Sequence, residues 1–491
     1  MARQCCLISL LICGLLAFAE SKHAGKTTAA GGSGQLPVTT SSPRARVDFE
    51  AAMQDFEQYR LNDTLQFLRA ATKSDPKFAQ AYIMIAKISK DPAEQTEARS
   101  QAKHLASKSS KGERLLIQWL SGAQEDNYLP AIAAMNDLLS MYPHDARLAF
   151  LAGDWLTLQE RYHQAAAVLE HALKIHPDYP AALNDIGYTY AFDGDFDKAF
   201  AAMDRYVALV PDEPNPHDSY GEILRMDGKF DAALEQYRTS VRMDPNFGSE
   251  LGVADTLALM GREQDAREEY ERAIVFAGNQ GDKVQYELQS ALTWIRQGNH
   301  KQAGKALADV AKDAHAAGLA RLEAEAHRVL AMYEPDSRGV AKEIQAAQNA
   351  LDEPHEISVT DRNEERARIL QVQATQMAEG NDMAAAQSAV AQLEVMTSKS
   401  RSQVVQLSYH GAAGAVLVAQ GKFADAIPHL QEDASDPLSM RLLWRAYNST
   451  GNGADAQTVA TKLAGLNVPT VEQALVVPQF RASLVSQARH P

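Results

Sequence analysis

Between residues 146 and 247 the apolar positions recur at steps of three and four. From Pro180 to Pro211, Leu183, Ile186, Gly187 and Tyr190 make one stripe, and Ala199, Met203 and Tyr206 make a second. A helix of 3.6 residues per turn puts each set on a single face. Asp193-Gly194-Asp195 separates the stripes with turn residues. Pro211, which has no N–H to donate, ends the second helix. One unit is therefore a helical hairpin, with Gly187 and Ala199 small where its two helices cross.

The unit repeats. Pro143, Pro177, Pro211 and Pro245 stand 34 residues apart, as do Gly153, Gly187 and Gly221. Ala165, Ala199 and Ala233 keep the same interval, and so do Tyr162, Phe196 and Phe230. A hairpin with one apolar face needs a neighbouring hairpin to cover it, so the array predicts a stack. No segment sustains strand alternation. The predicted fold class is all-α.

These residues carry a resemblance to the tetratricopeptide repeat family, whose 34-residue pattern they follow. The unit from Ala146 matches through Gly153, Leu156, Ala165, Leu169, Ala172 and Pro177, and the unit from Pro214 through Tyr220, Gly221, Leu224, Ala233, Tyr237 and Pro245. A shorter unit follows with Gly261, Ala266, Tyr270 and Ala273. The resemblance implies a right-handed superhelical solenoid of antiparallel hairpins, about 11–12 in the whole chain.

Around the well-matched array at 146–280 the pattern loosens. Degenerate hairpins are predicted over 47–145, where Trp119 stands in place of the usual glycine. Longer degenerate hairpins are predicted over 281–465, with turns at Gly298, Gly380-Asn381-Asp382, Gly421-Lys422-Phe423 and Gly451. A bend is placed near Pro335 and Pro354, and a capping helix over 466–491.

The first residues change the picture. Arg3 precedes an apolar run from Leu7 to Ala19 that ends in Ala17-Phe18-Ala19, the pattern of a cleavable secretory signal at 1–19. The run is shorter than the roughly 20 residues a bilayer span needs. An uncleaved anchor and lipidation at Cys13 are the alternatives. All three cysteines, Cys5, Cys6 and Cys13, lie in this segment, so cleavage after Ala19 leaves no thiol for disulfides or zinc. Residues 20–46 are rich in Gly, Ser, Thr and Ala and are read as a flexible linker. The expected location is periplasmic or secreted, with no membrane span after cleavage.

Net charge is −15, from 48 Lys+Arg against 63 Asp+Glu. Such a chain repels phosphate backbones, which argues against nucleic acid as a partner. Residues 146–245 alone hold 17 acidic and 9 basic side chains. Many of these acids, such as Asp193, Asp195, Asp197, Asp227 and Asp231, fall at turns and helix starts, where Asp caps well.

Candidate chemistry is sparse. No nucleophile elbow, zinc-protease helix or dinucleotide glycine pattern appears, so no catalytic residue and no cofactor is assigned. His163, His171 and His176 do not share a helical face, and no metal site is assigned either. The family resemblance implies a peptide or helix held in the inner groove lined by the first helix of each hairpin. Its positions here are Phe150, Asp154, Leu158, Asn184, Tyr188, Phe192, Asp218, Glu222 and Arg225. That mixture suits a protein partner with basic and apolar side chains. A cationic clamp for a terminal carboxylate is missing, because those positions carry Phe150, Asp154, Asp185, Asn215 and Ser219.

Three functions stay open at this point. The first is a non-enzymatic interaction scaffold of the bacterial cell envelope or exterior. The second is a component of a secretion, pilus or outer-membrane assembly. The third is an enzyme with its site in the degenerate C-terminal half.

Overall fold

The computed structural model describes residues 34–334 and 336–489, with side chains to 485. The segment read as a signal, most of the linker, and Pro335 lie outside the described residues. Twelve antiparallel hairpins follow one another at 43–74, 79–105, 111–141, 146–175, 180–209, 214–243, 250–275, 280–316, 320–352, 359–399, 403–432 and 437–464. One further helix, Val471–Arg489, comes after them. Among the described residues there is no strand. None of the described helices is long and apolar enough to cross a membrane.

Local sequence explains the hairpin ends. Ser110 and Glu113 form a reciprocal capping box at Lys111–Gln124. Asp145, Asp195 and Asp382 each accept a backbone N–H as N-caps. Asp195 therefore acts as a helix cap, in agreement with the turn-chemistry reading of that acidic stretch. The tight turn of the fifth hairpin needs a left-handed residue, which Gly194 supplies at φ +85. Asn381, not Gly380, takes that role in the tenth, at φ 64.

Packing follows the small-residue rule, with one shift. A Cβ on Gly153 would fall 2.4 Å from Leu169, so the fourth hairpin closes as the spacing predicts. The third hairpin has its close approach at Gly122, where a Cβ would lie 3.0 Å from Ala131. Trp119 is instead fully buried and meets Trp155 edge to face. Large and small residues have exchanged places by one helical turn.

The linker reading needs correcting at its C-terminal end. The first helix starts at Pro43, inside the span assigned to the linker. Ahead of it, an extended segment lies across the early hairpins. The Leu36 N–H donates to Asp145 at 2.8 Å, Thr39 N–H to Glu113 at 3.2 Å, and the Thr40 hydroxyl to Asp75 at 2.5 Å. Leu36 itself is buried in the core of the N-terminal hairpins. Glycine-rich composition upstream says nothing about Leu36-Pro37-Val38, which carries its own apolar anchor.

The solenoid winds tightly enough for its successive turns to touch. Asp126, at the turn of the third hairpin, receives hydrogen bonds from Asn363 at 2.8 Å and Ser400 at 2.5 Å. Its own N–H donates to Thr360 at 2.9 Å. Those partners belong to the tenth hairpin and the connection after it, seven hairpins on. Lys90 of the second hairpin reaches Asp282 of the eighth in the same way, at 2.5 Å.

Candidate ligand groove on the inner face

The predicted groove residues separate into three groups. Phe150 is buried in the core between Phe56 and Tyr179, and Asn184 and Arg225 are also buried, so none of the three is an open groove wall. The reason is stacking: each first helix is flanked by first helices on both sides, which cover these positions. Leu158 and Phe192 stand exposed at the C-terminal ends of their helices, where the Phe192 ring stacks on Tyr162. Asp154, Tyr188, Asp218 and Glu222 remain half-buried on the inner face.

Those inner residues are already engaged. Tyr188 donates to Glu222 at 2.9 Å, and Arg225 donates to the other oxygen of Glu222 at 2.7 Å. Arg225 also reaches Tyr237 at 3.1 Å and Asp255 at 3.5 Å. Burial pushes the carboxyls of Asp218 and Asp255 up to about 6. The acids that suggested a basic partner are thus largely compensated within the chain.

Deeper in the concavity the winding brings in residues that the repeat pattern did not single out. Lys87 of the second hairpin pairs with Asp154 of the fourth at 2.7 Å. Tyr59, at the turn of the first hairpin, donates to Asp185 of the fifth. Asn184 donates to the same Asp185 oxygen at 3.3 Å, while the second oxygen is buried without a hydrogen-bond partner. Burial, and then the charge of Asp154, push the Asp185 carboxyl up to about 8. Sequence spacing of 126 residues between Tyr59 and Asp185 gave no signal for this contact.

Asp185 holds its proton more tightly in the folded chain than in the unfolded one, where a carboxyl of this type titrates at 3.8. Its favourable contribution is full below about 4, declines as pH rises, and is gone above about 8. Asp185→Asn keeps an acceptor for Tyr59 and Asn184 and removes the ionisation. The variant is expected to gain on the parent steadily from pH 5 to pH 8, by at least about 1 kcal/mol at the upper end. Urea unfolding at a series of pH values measures this, and a constant difference would contradict it.

The C-terminal stretch also enters the concavity. Val476, Val477 and Phe480 pack on the twelfth hairpin, as a cap would. Val471 and Ala474, however, join the core of the eighth and ninth hairpins. Glu472 pairs with Arg328 at 3.0 Å, and Asn467 donates to the Met226 carbonyl at 3.3 Å. The helix read as a terminal cap therefore also spans the inner face, because the coil brings mid-chain hairpins beneath it.

A cavity of about 530 Å³ lies among the first helices of the first four hairpins and residues 35–38. Arg46, Glu50, Glu57, Arg147, His176 and Tyr179 supply its polar lining, and Met53, Met84 and Leu116 an apolar part. Arg147 is held by Glu57 at 2.5 Å. The lining offers hydrogen bonds and a mixed surface to a peptide.

Two family models described as tetratricopeptide repeat match the chain, over residues 156–222 and 221–282. No curated protein matches it. Among solved structures, a chain of the APC/C hetero-tetramer Cut9-Hcn1 is similar at 17% identity and TM-score 0.41, covering 82% of this chain and 76% of that one. YrrB, a TPR protein with an unusual peptide-binding site, aligns at 14% identity and TM-score 0.26, over 37% of this chain and 92% of its own. A tetratricopeptide repeat protein from Parabacteroides merdae aligns at 14% and TM-score 0.35, over 54% and 92%. The matched models, the 34-residue interval and the helical hairpins agree that residues 156–282 are tetratricopeptide repeats, set within an all-helical stack.

Proposed function

We propose that the protein is an exported, non-enzymatic scaffold that holds a segment of another protein at the N-terminal mouth of its inner face. The observation that supports this reading is the mixed polar and apolar cavity between the first helices of hairpins one to four. Farther along, the chain's own helix Val471–Arg489 and the Glu222–Arg225 network take up part of the inner face. The reading of the inner face as the binding surface rests on the repeat family. Export to the periplasm or exterior rests on the Arg3–Ala19 pattern.

Affinity capture from the native cell envelope, with mass spectrometry of what is retained, tests it. A defined protein is expected to co-purify, and Arg147→Ala is expected to reduce its capture at least tenfold while Tyr188→Ala reduces it less. Retention unaffected by Arg147→Ala would place the binding surface elsewhere. Fractionation of the native host tests the location separately.

A further inference from the structure

Away from the inner face, two histidines and two glutamates from separate stretches of chain meet beside the ninth hairpin. His315 stands in the last turn of His300–Ala316, and Glu323 in the first turn of Ala320–Tyr333. The tight turn between these helices, with Gly318 at φ +68, brings the two side chains together. Glu353 and His355 lie in the connection after Ser337–Asp352, where the His355 N–H donates to the Glu353 carbonyl at 2.7 Å and folds the pair back on itself.

The ligand-capable atoms of His315, Glu353 and His355 all lie within 4.8 Å of one another. His355 Nε2 is 3.1 Å from Glu353 Oε2, and His315 Nδ1 is 3.8 Å from that same oxygen. Glu323 Oε2 is 3.1 Å from His315 Nδ1. We propose that this corner is a binding site for a divalent transition metal of the zinc type. His315, Glu353 and His355 are its ligands, the fourth position is open to water, and Glu323, 3.1 Å from His315, orients that imidazole.

A tetrahedral ion with bonds of about 2.0–2.2 Å sets its ligand atoms roughly 3.4 Å apart. The observed separations bracket that value, and short side-chain rotations close the difference. His315 and Glu353 have side chains 55% and 40% exposed, so they are free to turn inward and solvent can deliver the ion. Glu323, with 10% of its side chain exposed, gives the site a fixed wall.

The donor set decides the metal. Two imidazoles beside a carboxylate suit zinc, copper or nickel, whereas magnesium and calcium take oxygen ligands alone. A bound ion would tie the end of the eighth hairpin to the connection before the tenth. That connection leads directly into Val359–Glu379, whose Thr360 and Asn363 clasp Asp126 across the superhelical turn. The metal would thus fix the start of the helix that joins the two turns of the coil. The ligands are spread over 40 residues of sequence, so no short motif announces them.

The test uses the full chain without a polyhistidine tag, stripped with a chelator and titrated with Zn²⁺ by calorimetry. One Zn²⁺ per chain is expected to survive desalting, with a rise in Tm and, for Co²⁺, the visible absorption of a tetrahedral site. His355→Ala and Glu353→Gln should each weaken Zn²⁺ binding at least 100-fold with helicity unchanged, whereas His163→Ala at a distant exposed histidine should have no effect. The two ligand variants keep the test readable if one of them fails to fold. Less than one Zn²⁺ retained, or affinity that survives both ligand substitutions, would overturn the site.

Discussion

Arg328→Met is expected to destabilise the protein by about 3–5 kcal/mol. Arg328 is buried in the ninth hairpin and serves three carboxylates at once. Its Nε lies 2.7 Å from Glu365, its Nη1 3.0 Å from Glu472, and its Nη2 3.4 Å from Glu325. Glu365 is fully buried, and one of its oxygens has no hydrogen-bond partner. Burial pushes the Glu365 carboxyl up, and the Arg328 guanidinium works against that. Deleting the cation leaves a buried carboxylate whose remaining counter-charge, Arg368, stands farther off at 3.6 Å from its other oxygen. The loss is larger than the worth of the pair itself, because the remaining partner stays buried with its close cation gone.

The same substitution reports on the C-terminal helix. Glu472 is the residue by which Val471–Arg489 pairs with the ninth hairpin, so amide exchange in 471–485 should accelerate along with the drop in stability. Adding Glu365→Gln to Arg328→Met removes the buried charge and should recover about 1–3 kcal/mol. Urea unfolding of the single and double variants closes the cycle. A loss below about 1 kcal/mol for Arg328→Met would mean that water reaches this cluster and screens it.

How much of this was readable beforehand depends on the range of the interaction. Hairpins are local objects. Steps of three and four, turn residues and prolines define them within 34 residues, and the turns at Gly194, Asn381 and Gly421 fall where the sequence put them. Burial of Phe150 was not readable, since a first-helix position faces the groove or the next helix according to a rotation that the repeat pattern leaves open. The Tyr59–Asp185 and Lys87–Asp154 contacts were not readable either, because they depend on the pitch of the coil. Pitch is the sum of small rotations at each hairpin interface, and no single residue encodes it. The docking of Leu36 shows the opposite failure: one apolar residue in a polar tract was averaged away by composition.

Gly252→Ala provides the sharpest test of the packing, with an expected cost of about 3 kcal/mol. A Cβ there would lie 2.1 Å from Cε1 of Tyr237 and 2.5 Å from its Cδ1 and Cζ. The ring has nowhere to go, since a Cβ at Gly221 would lie 3.0–3.1 Å from Cγ, Cδ1 and Cδ2 of the same ring. Arg225 also holds its hydroxyl at 3.1 Å. Tyr237 is thus slotted between two glycines of successive first helices, and one methyl group forces the helices apart. Gly187→Ala is the matched control. Its Cβ would come within 2.3 Å of Met203 Cε, the far end of a flexible side chain that can swing away. There the gain of about 1 kcal/mol from replacing glycine within a helix should offset most of the repacking cost. Thermal melting of both variants separates the cases. A larger loss for Gly187→Ala than for Gly252→Ala would show that the Tyr237 ring does not fill the crossing.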